Sequence, residues 1–217
     1  MIISSRLTDE ELVNEIHLSV AEYANLIGKS YLIIGKNKKS TYNWFECDFE
    51  KKNFMHLLGI KSRTLSADEF FDKCMDYNKG VGNGITIKDC TPSRNHSRKT
   101  INEKCSCSKD LFRICNAKYM KIGLKDKISQ FVDFTYAYGS DAIIGFQREK
   151  SIASFPITLI PNKIDNFSVE KYRIVFVLDK AKNDILYENI LMEIKKNLFR
   201  ECFSELPDAL KSRISLV

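Results

Sequence analysis

Tyr172-Arg173-Ile174-Val175-Phe176-Val177-Leu178 is the strongest strand in the chain. β-Branched and aromatic residues fill it, and neither glycine nor proline interrupts it. It anchors a C-terminal half that reads as sheet. Further strands are expected at 127–134, 142–148 and 154–160. Ala181-Lys182-Asn183-Asp184 then marks a turn. Tyr187, Ile190, Leu191, Ile194, Leu198 and Cys202 follow with helical spacing, and Pro207 begins or breaks a last short helix.

Toward the N-terminus the period changes. Thr8-Asp9-Glu10-Glu11 is a capping box. Leu12, Ile16, Val20, Tyr23 and Ile27 then recur on one helical face until Gly28. Tyr31–Gly35 and Thr41–Phe49 read as two strands, with Lys36-Asn37-Lys38-Lys39-Ser40 as their hairpin turn. A short helix over 51–58 stops at Gly59. Ser66-Ala67-Asp68-Glu69 is a second capping box, opening a helix through Phe70, Phe71 and Cys74. Gly80-Val81-Gly82-Asn83-Gly84 breaks the pattern. Residues 91–97 are the most loop-like. Helix returns over 98–119, with Ile101, Cys105, Phe112, Cys115 and Tyr119 on one side and a basic face opposite. The fold class is α+β, with N-terminal helices on an antiparallel sheet. No internal repeat or linker divides the 217 residues, so one domain is expected.

Composition narrows the function. Charged residues make up 29% and the hydrophobic set 44%, as in an ordinary globular chain. No apolar run approaches the ~20 residues of a membrane span, and Met1–Arg6 lacks a signal-peptide core, so a cytosolic location is expected. Seven cysteines cannot all pair with one another, and in a reducing compartment they are buried thiols. Net charge is +6, unevenly spread. Residues 94–127 hold ten Lys and Arg against three Asp and Glu, whereas residues 8–28 hold five acids and no base. Such asymmetry fits either a polyanionic partner or a solvated helix face.

Chemistry concentrates in Asn53-Phe54-Met55-His56-Leu57-Leu58-Gly59-Ile60-Lys61-Ser62-Arg63. His56 can exchange a proton near neutral pH. Lys61 and Arg63 can hold a phosphate. The same pattern also fits a half-buried helix histidine bonded to a carbonyl. Cys90, Cys105, Cys107 and Cys115 with His96 lack the paired Cys-x2–4-Cys spacing of a zinc site, and no metal or cofactor is expected. No P-loop, dinucleotide fingerprint or nucleophile elbow is present. A metal-independent ribonuclease needs a base for the ribose 2′-OH, an acid for the leaving oxygen and cations for the phosphorane. His56 is the best acid or base here, with Arg63 and Lys61 on phosphate. Thr158, on an expected edge strand beside Pro156, offers a hydroxyl, though it also reads as an ordinary strand threonine. Lys99, Lys104, Lys118 and Lys121 are expected to hold the nucleic-acid backbone. Tyr42 and Trp44 share one strand face and can stack bases or fill the core. His17 and His96 are weaker candidates; His96 can touch phosphate.

The motif Phe54-x-His56-Leu57-x-Gly59-Ile60 resembles the phage-associated nuclease domains of the barnase–EndoU–colicin–RelE (BECR) fold. Leu58 stands where such domains more often carry threonine. Ala67-Asp68-Glu69-Phe70-Phe71, Ile143-Ile144-Gly145-Phe146 and Phe155-Pro156-Ile157-Thr158-Leu159 resemble their aromatic helix, Gly-Phe strand and Pro strand. The resemblance runs over about residues 30–195. An acidic N-terminal helix (1–28) would then precede the core, and a helical tail (196–217) follow it. It implies a metal-independent endoribonuclease acting on RNA as a toxin or phage-defence effector, with a protein antitoxin or inhibitor as a possible partner. The alternatives are a non-catalytic nucleic-acid-binding module, and a protein-binding inhibitor or regulator that uses the acidic helix.

Overall fold

The computed structural model describes residues 7–94, 96–116, 119–122, 134–138, 142–148, 153–161 and 171–215. Helix α1 is Asp9–Ala24. Its capping box forms as the sequence implies: Glu11 N–H donates to Thr8 Oγ1 at 3.2 Å and Thr8 N–H to Glu11 Oε2 at 2.7 Å. Leu12, Ile16, Val20 and Tyr23 are buried. Gly28, at φ +83°, turns the chain into β1 (Lys29–Lys36). β1 and β2 (Tyr42–Asp48) form the expected hairpin, from Ser30↔Asp48 to Lys36↔Tyr42.

Helix α2 is Lys51–Leu57, and the two-residue strand β3 is Ile60–Lys61. Helix α3 is Ala67–Asn78, under the second capping box, from Ser66 to Glu69. A third such box, between Thr86 and Asp89, holds a short 3-10 turn over Ile87–Asp89. Residues 91–97 are not wholly loop: Thr91–Pro92 is a strand, β4, antiparallel to β3. Helix α4 is Arg98–Leu111. It stops well short of Tyr119, because a 3-10 turn over 114–116 and strand β5 (Tyr119–Ile122) take over the chain.

The remaining strands are β6 (Phe134–Tyr138), β7 (Ala142–Arg148), β8 (Ser154–Ile160), β9 (Lys171–Ala181) and β10 (Asn189–Glu193). The strand expected at 127–134 falls outside the described residues except for Phe134. Helical spacing misled at 187–193. Asn189–Glu193 instead pairs antiparallel with β9, from Asn189↔Asp179 to Glu193↔Phe176. β5 pairs only with the first residues of β9, so an open row of backbone groups remained for β10. Helix follows only at α5 (Leu198–Cys202), whose first amides donate to the Glu193 carboxylate, and at α6 (Asp208–Lys211).

Eight strands form one sheet, in the order β1-β2-β8-β7-β6-β5-β9-β10. The hairpin from the first fifty residues is thus central to a sheet expected from the C-terminal half. β1 also pairs with β9 along its length, and among the described residues β2 meets β8 at a single parallel rung, Cys47↔Ser154. The pairings therefore run full circle. Alternation along β1 sorts its two faces. Tyr31 and Ile33 join a large core with the helices, whereas Leu32 and Ile34 join a second cluster with Phe176, Tyr187, Phe199 and Leu210. Half-buried Tyr42 and Trp44 pack against that second cluster, which accounts for both rings without a base. Buried Glu46 ties the tail to β2 by accepting from Tyr187 Oη at 3.0 Å and pairing with Arg213.

Candidate active site

Helix α2 carries the centre. Phe54 is fully buried and meets Tyr23, Phe70, Phe71 and Phe112 at ring-centroid distances of 5.3, 6.5, 5.8 and 6.0 Å. Asn53, Met55, Leu57, Leu58, Gly59 and Ile60 are buried as well. From Asn53 to Ile60 only His56 is exposed. The half-buried core histidine that the local pattern also allowed is therefore not what forms. The apolar neighbours fix the helix, and the imidazole stands in solvent at its last turn.

The chain then reverses. Gly59 N–H donates to His56 O at 3.0 Å, and Gly59 adopts φ +72°. Its own carbonyl accepts from Ser93 N–H at 3.0 Å, beside the rungs Ile60↔Pro92 and Lys61↔Thr91. This pairing brings the loop after β4 over the motif. The His96 ring lies on Gly59 so closely that a Cβ there would sit 2.9 Å from its Cδ2. Ser93 Oγ and His96 Nδ1 share a hydrogen bond of 2.8 Å. Gly59 thus links the backbone of His56 to the ring of His96. Gly59→Ala meets both obstacles, a left-handed backbone and the ring. It is expected to cost about 1–2 kcal/mol from the backbone alone, to displace His96, and to lower activity more than stability. Urea unfolding and a rate measured on the same preparation check this.

Lys61 and Arg63 are exposed, and no carboxylate pairs with either among the described residues. Arg63 rides a turn shaped by Ser62, whose Oγ accepts from Thr64 N–H and Leu65 N–H at 3.3 and 3.2 Å. Thr64 Oγ1 in turn donates to Asp89 at 3.2 Å.

The basic stretch is divided. Arg98 pairs with Asp9 at 2.7 Å, and Arg113 with Glu22. Two acids of α1 are thus paired within the chain, one with α4 and one with the residues just after it. The same pairing takes Asp9 and Glu22 out of any acidic face offered to a protein partner. Exposed Lys99 lies 3.9 Å from Glu103. Lys104 is not on the outer face at all. It shares its helix face with Ile101, Cys105 and Ser108, and only 4% of its surface is accessible. Burial pulls its ammonium down to about 8, and both burial and the Lys104 charge lower His96. Lys118 lies outside the described residues. Lys121 sits on β5 opposite Thr135 and Lys171. Thr158 pairs with Gly145 of β7 and is half-buried. No hydrogen bond or ion pair among the described residues joins it to His56.

Sequence reasoning placed Lys104 on the wrong face. The spacing Ile101, Lys104, Cys105, Ser108 (i, i+3, i+4, i+7) held the signal for Lys104. Nothing local showed that His96 would meet Gly59. All seven cysteines are free thiols, four of them buried. No helix among the described residues is long and apolar enough to cross a membrane.

A family model described as phage-Barnase-EndoU-ColicinE5/D-RelE like nuclease4 matches residues 15–196. No curated protein and no solved structure matches the chain.

Proposed function

Because the chain belongs to the phage-Barnase-EndoU-ColicinE5/D-RelE like nuclease4 family, we propose that it is a metal-independent endoribonuclease centred on His56. The observation that carries this reading is the isolation of His56: one exposed imidazole on an otherwise buried segment, followed by two cations that no carboxylate among the described residues pairs. Burying so much apolar surface to hold one polar ring in solvent is reasonable for a residue that acts on a ligand. In this reading His56 transfers a proton, Lys61 and Arg63 hold the phosphate, and Thr158 is a secondary contact. Lys99, Lys118 and Lys121 track the backbone on either side. The ribose 2′-OH supplies the nucleophile, so the protein has only to move protons and steady charge. RNA is accordingly the preferred nucleic acid.

The family's phage association favours a toxin or phage-defence role in the cytoplasm, restrained by a protein antitoxin or inhibitor. The direct test is incubation of the purified protein with structured and unstructured RNA in EDTA. Fragments ending in 2′,3′-cyclic phosphate are expected. Tight RNA binding with no cleavage of any RNA would favour a non-catalytic binding module instead.

A further inference from the structure

Lys104 is anomalous. Lysines are almost never fully buried without a partner, yet no acceptor or carboxylate engages its ammonium among the described residues. Its charge is felt by His96, another potential cation. No carboxylate among the described residues pairs with either nitrogen base. The side chain of Lys104 leans back toward the start of α4, where Ser97 caps the helix by accepting from Thr100 N–H at 3.2 Å and the helix dipole is positive. Three features therefore converge on negative charge: the unpartnered ammonium, the imidazole and the helix end.

His96 itself is held. Ser93 Oγ fixes Nδ1 at 2.8 Å, and Gly59 lies beneath the ring. In the tautomer that donates Nδ1–H to Ser93, Nε2 keeps a free lone pair. Gly59, on which the ring lies, donates its N–H to the carbonyl of His56.

We propose that His96 is the second proton-transfer residue of this centre, with Lys104 seating the phosphate charge and Ser93 positioning the ring. The assignment rests on the nuclease reading of His56. In the step it describes, the 2′-OH proton passes to His96 Nε2 as the O2′–P bond forms. The P–O5′ bond breaks, and His56 delivers a proton to O5′. The products are a 2′,3′-cyclic phosphate and a 5′-hydroxyl, with no outside reactant. The lowered basicity of His96 keeps it unprotonated at neutral pH, as a base requires. An arriving phosphate would raise the proton affinity of both His96 and Lys104.

The experiment uses the full chain and two readouts. The first is the pH profile of kcat/KM on a fluorogenic RNA oligonucleotide in EDTA, for the parent, His56→Ala, His96→Gln and Ser93→Ala. The second is NMR titration of the His96 ring with and without inorganic phosphate, in the parent and Lys104→Met. His96→Gln is expected to lower kcat/KM roughly 10²-fold and to erase the acid limb of the profile. Ser93→Ala should move that limb with a smaller loss. Phosphate should raise the His96 midpoint in the parent and much less in Lys104→Met. Thermal melts guard against misfolding, and Ser93→Ala carries the test if His96→Gln fails to fold. A His96→Gln protein with parental rate and both limbs, beside an inactive His56→Ala, overturns the assignment and leaves the His56 reading standing. A parent inert on every RNA overturns that reading and the proton-transfer step. The anion seat then stands if phosphate moves His96, and falls if it does not.

Discussion

His56→Ala is expected to lower RNA cleavage by roughly 10²–10⁴-fold, the usual loss on removing a positioned proton-transfer group. The structure makes this a clean experiment. His56 is exposed, while its neighbours Met55 and Leu57 are buried, so truncation removes a solvent-facing ring and leaves the packing of α2 intact. Surface substitutions of this kind change stability by about 0.5 kcal/mol or less. Circular dichroism and the melting temperature should therefore match the parent while the rate collapses. Arg63→Ala should cost less, because Lys61 stands two residues away on the same strand and turn. In cells, a parent that poisons growth and a His56→Ala variant that does not would extend the result to the toxin role. Equal cleavage by a folded His56→Ala protein would remove this histidine from the mechanism.

Lys104→Met should move stability and function in opposite directions. The unfolded chain holds the lysine proton to about pH 10.5, whereas the folded chain holds it only to about 8. Below pH 8 the folded state therefore carries a buried charge at a cost, and the difference of two to three pH units corresponds to about 3 kcal/mol as an upper estimate. In the parent, stability attributable to this group rises as pH climbs from about 8 to 10.5, because the unfolded state then binds more protons. Methionine keeps the apolar stem and drops the charge. Its variant should be more stable near pH 7, with an advantage that vanishes above about pH 10.5. For a chain of this size each kcal/mol raises the melting temperature by about 2–4 °C. RNA affinity should fall in the same variant. Melts at pH 7 and 10.5, beside a binding isotherm, check both halves. A Lys104→Met protein less stable than the parent at pH 7 would mean that the ammonium has a partner after all.

The elements that read correctly from sequence were governed by near neighbours. Both capping boxes, the β1–β2 hairpin and the end of α2 at Gly59 follow from residues within a few positions of one another. The α+β class and the His56 motif were legible for the same reason. What stayed hidden depended on distant chain. β10 is a strand because β9 had an open edge, not because Asn189–Glu193 prefers extension. The contact of His96 with Gly59 needs Thr91–Pro92 to pair with Ile60–Lys61, and no local preference announces a two-residue pairing across thirty positions. The basic stretch showed its charge but not its creditors: Asp9 and Glu22 claim Arg98 and Arg113, and only the tertiary fold brings them together.

The single rung between Cys47 and Ser154 also bears on how the molecule comes apart. It joins residues more than a hundred positions apart, so its loop-closure entropy is large, and it is the one β2–β8 pairing among the described residues. Contacts of that kind form late and open early. The β2–β8 boundary is the clasp of the structure, and α2, which packs against β8, lies beside it. Amides at this seam should exchange with deuterated solvent well before those of β1 and β9. Partial opening would then loosen the footing of His56 before the rest of the sheet gives way, so activity should be lost on heating ahead of the global unfolding transition.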